Sequence, residues 1–401
     1  MSRNRIDRRD FLTSSIAAAG TSAILISESD AAAPQEKNET PRTESATAYT
    51  GETIQGKKVV SRLNVADLEP GRKHFLYFQG VQTPGGQHWY VSVAVAKGVH
   101  SGKRFTLTSG VHGDEMSSIH TVQTVIDRLD PAQMSGTVMA VLDIARPAVE
   151  SMQRRWPNSG RGADLIDMNR EWPGDENGAS ATSRHAGLLF NGLLKPNTDL
   201  AIDFHTGTTG LEVAAFLIGD RRLPAVKTMA DLYPVGLMWD NPAYPGVLHN
   251  AFVDVGIPCF TPEVGAARIL DRDMIALFVE GTLNVLKHYG VISGPIGRTA
   301  ADASMLVGDA AFPIIATHGG LVEFHAKLDD NVKAGQTIAV QRNMFGEVVA
   351  EYTTSVDGKL AAYRSDALSD PGNVLAFVLF RQPGPLPQSG AHPYSEKSYP
   401  E

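Results

Sequence analysis

Between Arg104 and Leu129 the chain passes from a short apolar stretch, Arg104 to Ser109, through Gly110-Val111-His112-Gly113-Asp114-Glu115 and into a longer amphipathic stretch. Ile119, Val122, Val125, Ile126 and Leu129 recur there at helical spacing, and Pro131 ends the run. A strand, a tight turn and a helix in that order commit the chain to an α/β arrangement, because the helix must bury its apolar stripe on a sheet. Further strands are expected over His74 to Gln79, His88 to Ala96, Thr137 to Leu142, Leu200 to Phe204 and Gly256 to Phe260. A helix-like stretch covers His185 to Leu194, and a closing helix is expected over Asp273 to Tyr289. These elements make one α/β domain over 57–290.

Beyond about Ile296 the pattern changes. Turn signals at His318-Gly319-Gly320, Lys333-Ala334-Gly335, Phe345-Gly346, Asp357-Gly358 and Pro371-Gly372 recur at strand spacing, which describes a small all-β domain over 296–382. Residues 34–56 are rich in Pro, Glu, Thr, Ser and Ala with few large apolar side chains and read as a linker. Residues 383–401 read as a tail.

The first 33 residues carry Arg8-Arg9-Asp10-Phe11-Leu12, an apolar stretch to Ile26 and a small-residue site at Ala31-Ala32-Ala33. That order is the order of an export signal, and the paired arginines resemble a twin-arginine signal, which implies an exported, periplasmic protein. The stretch is too short and too interrupted by Thr, Ser and Gly to span a membrane, so no stable span is expected in the mature chain. With 36 Lys+Arg against 44 Asp+Glu and a formal charge of −8, the chain lacks the cationic surface that a nucleic-acid partner requires. The lone Cys259 excludes an internal disulfide and reads as a buried, inert thiol.

Four elements carry chemistry. His112 and Glu115 are three apart at a turn entering a helix, a spacing that lets an imidazole and a carboxylate converge on one ion. Asp203 and His205 share one face of a strand end, so the carboxylate is placed to orient an imidazole. A hydrogen-bonded histidine at a strand edge satisfies the same pattern. Two His and one Glu with an open fourth position is the ligand set of a catalytic zinc. The third element is Asp167-Met168-Asn169-Arg170 with Arg154-Arg155-Trp156 upstream, and the fourth is Glu263, just past the strand Gly256 to Phe260. A glutamate there suits a general base for water, although a solvated surface Glu would look the same.

The order His-x-x-Glu, Asp-x-Asn-Arg, Asp-x-His and a late Glu before Gly resembles the succinylglutamate desuccinylase/aspartoacylase family, a branch of the zinc-carboxypeptidase-like amidohydrolases. The resemblance covers about Leu107 to Gly265. It implies a mixed sheet flanked by helices, one Zn2+ per chain, and hydrolysis of the amide, or an ester, of an N-acyl amino acid. By the same resemblance His112, Glu115 and His205 match the zinc ligands, Glu263 the catalytic acid/base, and Asn169 and Arg170 the holders of a substrate carboxylate. Asp203 matches the partner behind a ligand histidine. Arg155, in its Arg-Trp pair, matches the arginine that stabilises the oxyanion, with Arg154 and Arg161 close enough to leave that assignment open. Removing one such donor typically raises a barrier by about 3 kcal/mol.

Some members of the family carry an arginine shortly before the catalytic Glu that selects an acidic side chain. Here Leu248-His249-Asn250-Ala251-Phe252-Val253 has none, which points to a neutral or bulkier N-acyl amino acid or a short peptide. The small β domain is similar to the biotinyl/lipoyl-type fold but has no Met-Lys-Met carrier site. Two other readings stand beside the deacylase: an exported zinc carboxypeptidase acting on short peptides, and a binding protein without turnover. A serine hydrolase is disfavoured, since no Gly-x-Ser-x-Gly occurs.

Overall fold

A computed structural model describes residues 46–157, 165–241 and 245–382. The expected signal segment 1–33, residues 34–45 of the expected linker and the expected tail 383–401 lie outside the described residues. No helix among the described residues is long and apolar enough to cross a membrane.

In chain order the first strands are β1 (Ala48–Ile54), β2 (Lys57–Arg62), β3 (Arg72–Gln82), β4 (His88–Lys97), β5 (His100–Thr108) and β6 (Ser135–Val141). They are followed by β7 (Leu200–Asp203), β8 (Leu211–Val213), β9 (Ala215–Gly219), β10 (Leu237–Asp240), β11 (Cys259–Val264) and β12 (Leu306–Gly308). All but β8 join one mixed sheet in the order β1-β2-β3-β4-β6-β5-β7-β11-β9-β10-β12. The helices are α1 (Met116–Arg128), α2 (Arg146–Glu150), α3 (Ala181–Leu189), α4 (Pro224–Asp231), α5 (Leu248–Asp254) and α6 (Arg272–His288).

Helices α1, α4 and α6 bury Val122, Ile126, Met229, Phe278 and Val285 in the core on one face of the sheet. On the other, α2, α3 and α5 bury Ala148, Leu189 and Phe252 with Phe78, Trp156 and Trp172. Each large apolar side chain taken fully out of water contributes roughly 1.5–3 kcal/mol. Cover on both faces is why the central strands read as continuous apolar runs rather than alternating ones.

Strands β5, β7 and β11 are parallel neighbours: Thr108 lies opposite Asp203, and Phe260 opposite Ile202. Their C-terminal ends therefore leave the sheet at one edge, where ligands collect in α/β folds. Strand β11 runs further than its apolar letters suggest, because antiparallel pairing with β9 carries it from Thr261 to Val264. Glu263 thus stands inside the strand rather than past it. Pro262 does not end it, since its carbonyl still accepts the His205 N–H at 2.9 Å.

The C-terminal strands are β13 (Ala310–Ile315), β14 (Gly320–Phe324), β15 (Asn331–Val332), β16 (Thr337–Arg342), β17 (Val348–Thr353), β18 (Gly358–Arg364), β19 (Leu368–Ser369) and β20 (Val374–Phe380). They form two small sheets around Ile314, Ile338, Leu360, Leu375 and Val378.

Three boundaries differ from the sequence expectation. Residues 48–54, taken as linker, form β1: an edge strand satisfies its backbone on β2 alone and can leave its side chains in water. The large sheet does not stop at 290, because Leu306–Gly308 pairs with β10. In the other direction β8 pairs with β18, so the large domain lends a strand to the small one.

Candidate metal centre

The turn that leaves β5 carries His112 and Glu115 into the start of α1. Gly113 lets it close, because a Cβ there would lie 1.9 Å from the Ala148 carbonyl carbon of α2. The register of β7 on β5 then sets His205 beside His112. His112 Nδ1 is 2.7 Å from Glu115 Oε1, His205 Nδ1 is 2.9 Å from Glu115 Oε2, and the two Nδ1 atoms are 3.1 Å apart. All three residues are buried, and their ligand atoms could hold one metal ion.

Behind each ring stands an acid. His205 Nε2 is 3.0 Å from Asp203 Oδ2, and His112 Nε2 is 3.0 Å from Asp167 Oδ1. The second oxygen of Asp203 accepts the Thr108 hydroxyl at 2.7 Å. With both Nε2 atoms facing carboxylates, both Nδ1 atoms turn toward each other and toward Glu115. A divalent cation between them would take both Nδ1 lone pairs and the Glu115 carboxylate at once.

The charges are balanced in the same way. Burial would push the His205 imidazole down, but the Asp203 and Glu115 carboxylates override it and hold it well above its usual value. Burial would raise both Glu115 and Asp167. Instead His112 and His205 pull Glu115 down, and Arg154 with His112 holds Asp167 well below the usual carboxylate range.

The arginine at this cluster is Arg154, not Arg155. Arg154 Nε is 3.1 Å from Asp167 Oδ2, and its Nη1 is 3.5 Å from Glu115 Oε1. The chain bends at Arg154 and Arg155 and is tied down just beyond them, where the Trp156 N–H bonds to the Ile166 carbonyl at 2.9 Å. Arg154 and the buried Trp156 point inward and Arg155 is exposed. Arg161 lies outside the described residues.

Asn169 is buried beside the cluster, its Nδ2 3.5 Å from His205 Nε2 and its Oδ1 accepting the Leu248 N–H at 2.9 Å. The neighbouring Arg170 is exposed, with Nη1 donating to the Asn169 carbonyl at 2.7 Å. Glu263 on β11 lies opposite His205, just past the end of β7, and is partly exposed, yet its Oε2 is sheltered and has no hydrogen-bond partner among the described residues. Burial pushes its carboxyl up, against the pull of His205.

The catalytic-domain model of the succinylglutamate desuccinylase/aspartoacylase family matches residues 101–289. An N-alpha-acetyl-L-2,4-diaminobutyric acid deacetylase of Halomonas elongata is 30% identical over 284 residues, covering 68% of this chain and 80% of the relative. The chain belongs to the succinylglutamate desuccinylase/aspartoacylase family. It is a deacylase-type amidohydrolase of that family, and the matched span takes in every residue of the cluster from His112 to Glu263.

Two solved structures share its fold. A succinylglutamate desuccinylase/aspartoacylase from Rhodobacter sphaeroides superposes with a TM-score of 0.68 at 21% identity, over 79% of this chain and 98% of that one. The product-bound ectoine utilization protein EutE from Ruegeria pomeroyi gives 0.69 at 19% identity, over 83% and 98%.

Asp167 was not given a role from sequence, and His249 was read either as lining the pocket or as a surface residue. Asp167 was visible within Asp167-Met168-Asn169-Arg170, but its partner His112 is 55 positions away. His249 is buried, where a surface position was equally consistent with the sequence.

Proposed function

We propose that this protein is a zinc-dependent hydrolase that cleaves the amide bond of an N-acyl amino acid. The observation that carries this reading is the pair of Nδ1 atoms 3.1 Å apart over Glu115, each imidazole anchored from behind by a carboxylate. His112, Glu115 and His205 would hold the metal. Zinc bound there supplies a Lewis acid and brings the pKa of its water to about 7.

The chain's own residues supply the rest. Glu263 Oε2, sheltered and without a hydrogen-bond partner among the described residues, takes a proton from the attacking water and returns it to the leaving nitrogen. A carboxyl pushed up by burial suits both transfers near neutral pH. Arg154, held in place by Asp167, faces the negative charge that grows on the former carbonyl oxygen. Asn169 Nδ2 and the planar fork of Arg170 hold the substrate carboxylate, which a Lys could not grip in two places.

The test is metal analysis of the purified protein followed by turnover of an N-acyl amino acid panel, with Glu263→Gln as control. The expected result is about one zinc per chain in both proteins and a loss of about 10³-fold in kcat for the variant. A wild-type protein that carries no divalent metal and turns over nothing, or a variant of full activity, would sink the reading.

A further inference from the structure

Among the described residues, four buried side-chain atoms lack a hydrogen-bond partner: Asp114 Oδ1, Trp172 Nε1, His249 Nε2 and Glu263 Oε2. The proton-transfer role accounts for Glu263, but nothing so far accounts for His249. Its residue is only 9% exposed, so the open nitrogen is not turned to bulk water.

Its surroundings tie it to the cleft from two sides. His249 Nδ1 is 2.8 Å from the Thr261 hydroxyl, and Thr261 shares a face of β11 with Glu263. The preceding residue, Leu248, gives its N–H to Asn169 Oδ1 at 2.9 Å. His249 is thus bracketed by the acid/base and by the carboxylate-holding Asn169, close enough to feel the charges of Asp203 and His205. We assign the Thr261 hydroxyl as the donor to Nδ1, which leaves the proton of the ring on Nε2.

Resting on the deacylase reading, we propose that His249 determines specificity: its Nε2–H donates to an uncharged oxygen, a hydroxyl or amide carbonyl, on the side chain of the N-acyl amino acid. Burial keeps this imidazole neutral, with its pKa lowered to about 4. It therefore offers no positive charge to an acidic side chain, whose desolvation would go uncompensated next to the Asp203 carboxylate. A side-chain ammonium is also mismatched, because Nε2–H is not an acceptor. A hydroxyl or amide oxygen satisfies the open donor at no cost in charge.

The experiment uses the zinc-loaded full chain and compares N-acetylserine, N-acetylglutamine, N-acetylalanine and N-acetylaspartate on the wild type, His249→Leu and His249→Gln. The wild type is expected to favour the serine or glutamine derivative over the aspartate derivative. His249→Leu is expected to raise KM for the favoured substrate about 10-fold while N-acetylalanine changes by less than about threefold. His249→Gln, which keeps a side-chain N–H, is expected to recover most of the preference. Ratios between substrates within one variant do not depend on how much of it folds. A His249→Leu protein that slows on all substrates alike, or a wild type that prefers N-acetylaspartate, overturns the specificity role and leaves the deacylase standing. A wild type inactive on every N-acetyl amino acid overturns the deacylase reading and this role with it.

Discussion

His112, Glu115, His205 and Glu263 stand where parallel strands leave the sheet, whereas Arg154, Asn169 and Arg170 stand on the long connection between β6 and α3. The first group is placed by register, and a one-residue slip would turn every site side chain to the opposite face of the sheet. The second group has no such frame. It is placed by a few charged bridges, and most run through Asp167, which binds His112 through Oδ1 and Arg154 through Oδ2 and caps the Asn169 N–H. One half of the cleft is therefore held by strand register, and in the other one carboxylate links Arg154 and Asn169 to His112.

The widest break in that contrast is expected from the loop arginine. Arg154→Ala should lower kcat about 10³-fold, because it removes the donor facing the oxyanion. Arg155→Ala, at an exposed position one residue away, should stay within about twofold of wild type. Steady-state rates on one N-acyl substrate decide it, and the opposite ranking would put the inward-facing side of the segment in the wrong place.

A smaller and sharper comparison sets Asp203→Asn against Asp167→Asn. Each removes the acid behind one ligand histidine, and such partners are typically worth 10–100-fold in metal affinity. Asp203 sits on β7 with Thr108 holding its other oxygen, so its loss should cost about 10-fold in zinc affinity and leave Arg154 untouched. Asp167→Asn should reach the upper end, about 100-fold, and also lower kcat, because Arg154 and Asn169 lose their anchor. Competition with a chromophoric chelator reads the affinity, and equal losses in both variants would erase the difference between the two halves.

What could be read from sequence follows the same division. His112, Glu115, Asp203 and His205 are legible because the relevant spacings are local, three along a turn and two along a strand. Their meeting was not local, but two apolar strands leading into two chemically matched turns made it a short step. The loop half was harder. Whether Arg154 or Arg155 faces inward depends on the Trp156–Ile166 bridge, a pairing of two segments with no apolar alternation to announce it. Motif matching favoured Arg155 for its place next to Trp156, whereas it is Arg154 that meets Asp167 and Glu115. The β1 strand was missed because an edge strand needs a backbone partner and not an apolar face. The extension of β11 was missed because Thr261 to Val264 is held by antiparallel pairing with β9, a partner that no local pattern announces.

The smallest expected effect separates the two halves by pH rather than by rate. His185 and His205 are both buried, but His205 has carboxylates on both sides while His185 has none. His185 lies behind the loop half, its ring centroid 5.1 Å from that of Trp156. Its Nε2 donates to the Ile144 carbonyl at 2.9 Å, and its Nδ1 accepts the Val81 N–H at 3.2 Å, an arrangement that leaves no place for a second proton. A Cβ on Gly80 would lie 2.2 Å from its Cε1, so the ring cannot shift toward β3 to make room. Burial accordingly lowers its pKa from 6.5 to about 4. Between those values the unfolded chain binds the proton and the folded chain does not, so stability falls as pH falls through that window. The full loss is about 3 kcal/mol, of which about 2 kcal/mol should appear between pH 7 and pH 5. Denaturant melts at the two pH values should show this slope in the wild type and a flatter one in His185→Gln, whatever the variant's baseline. If magnetic resonance finds the His185 ring titrating near 6.5 in the folded protein, the support behind the loop half is looser than these contacts require.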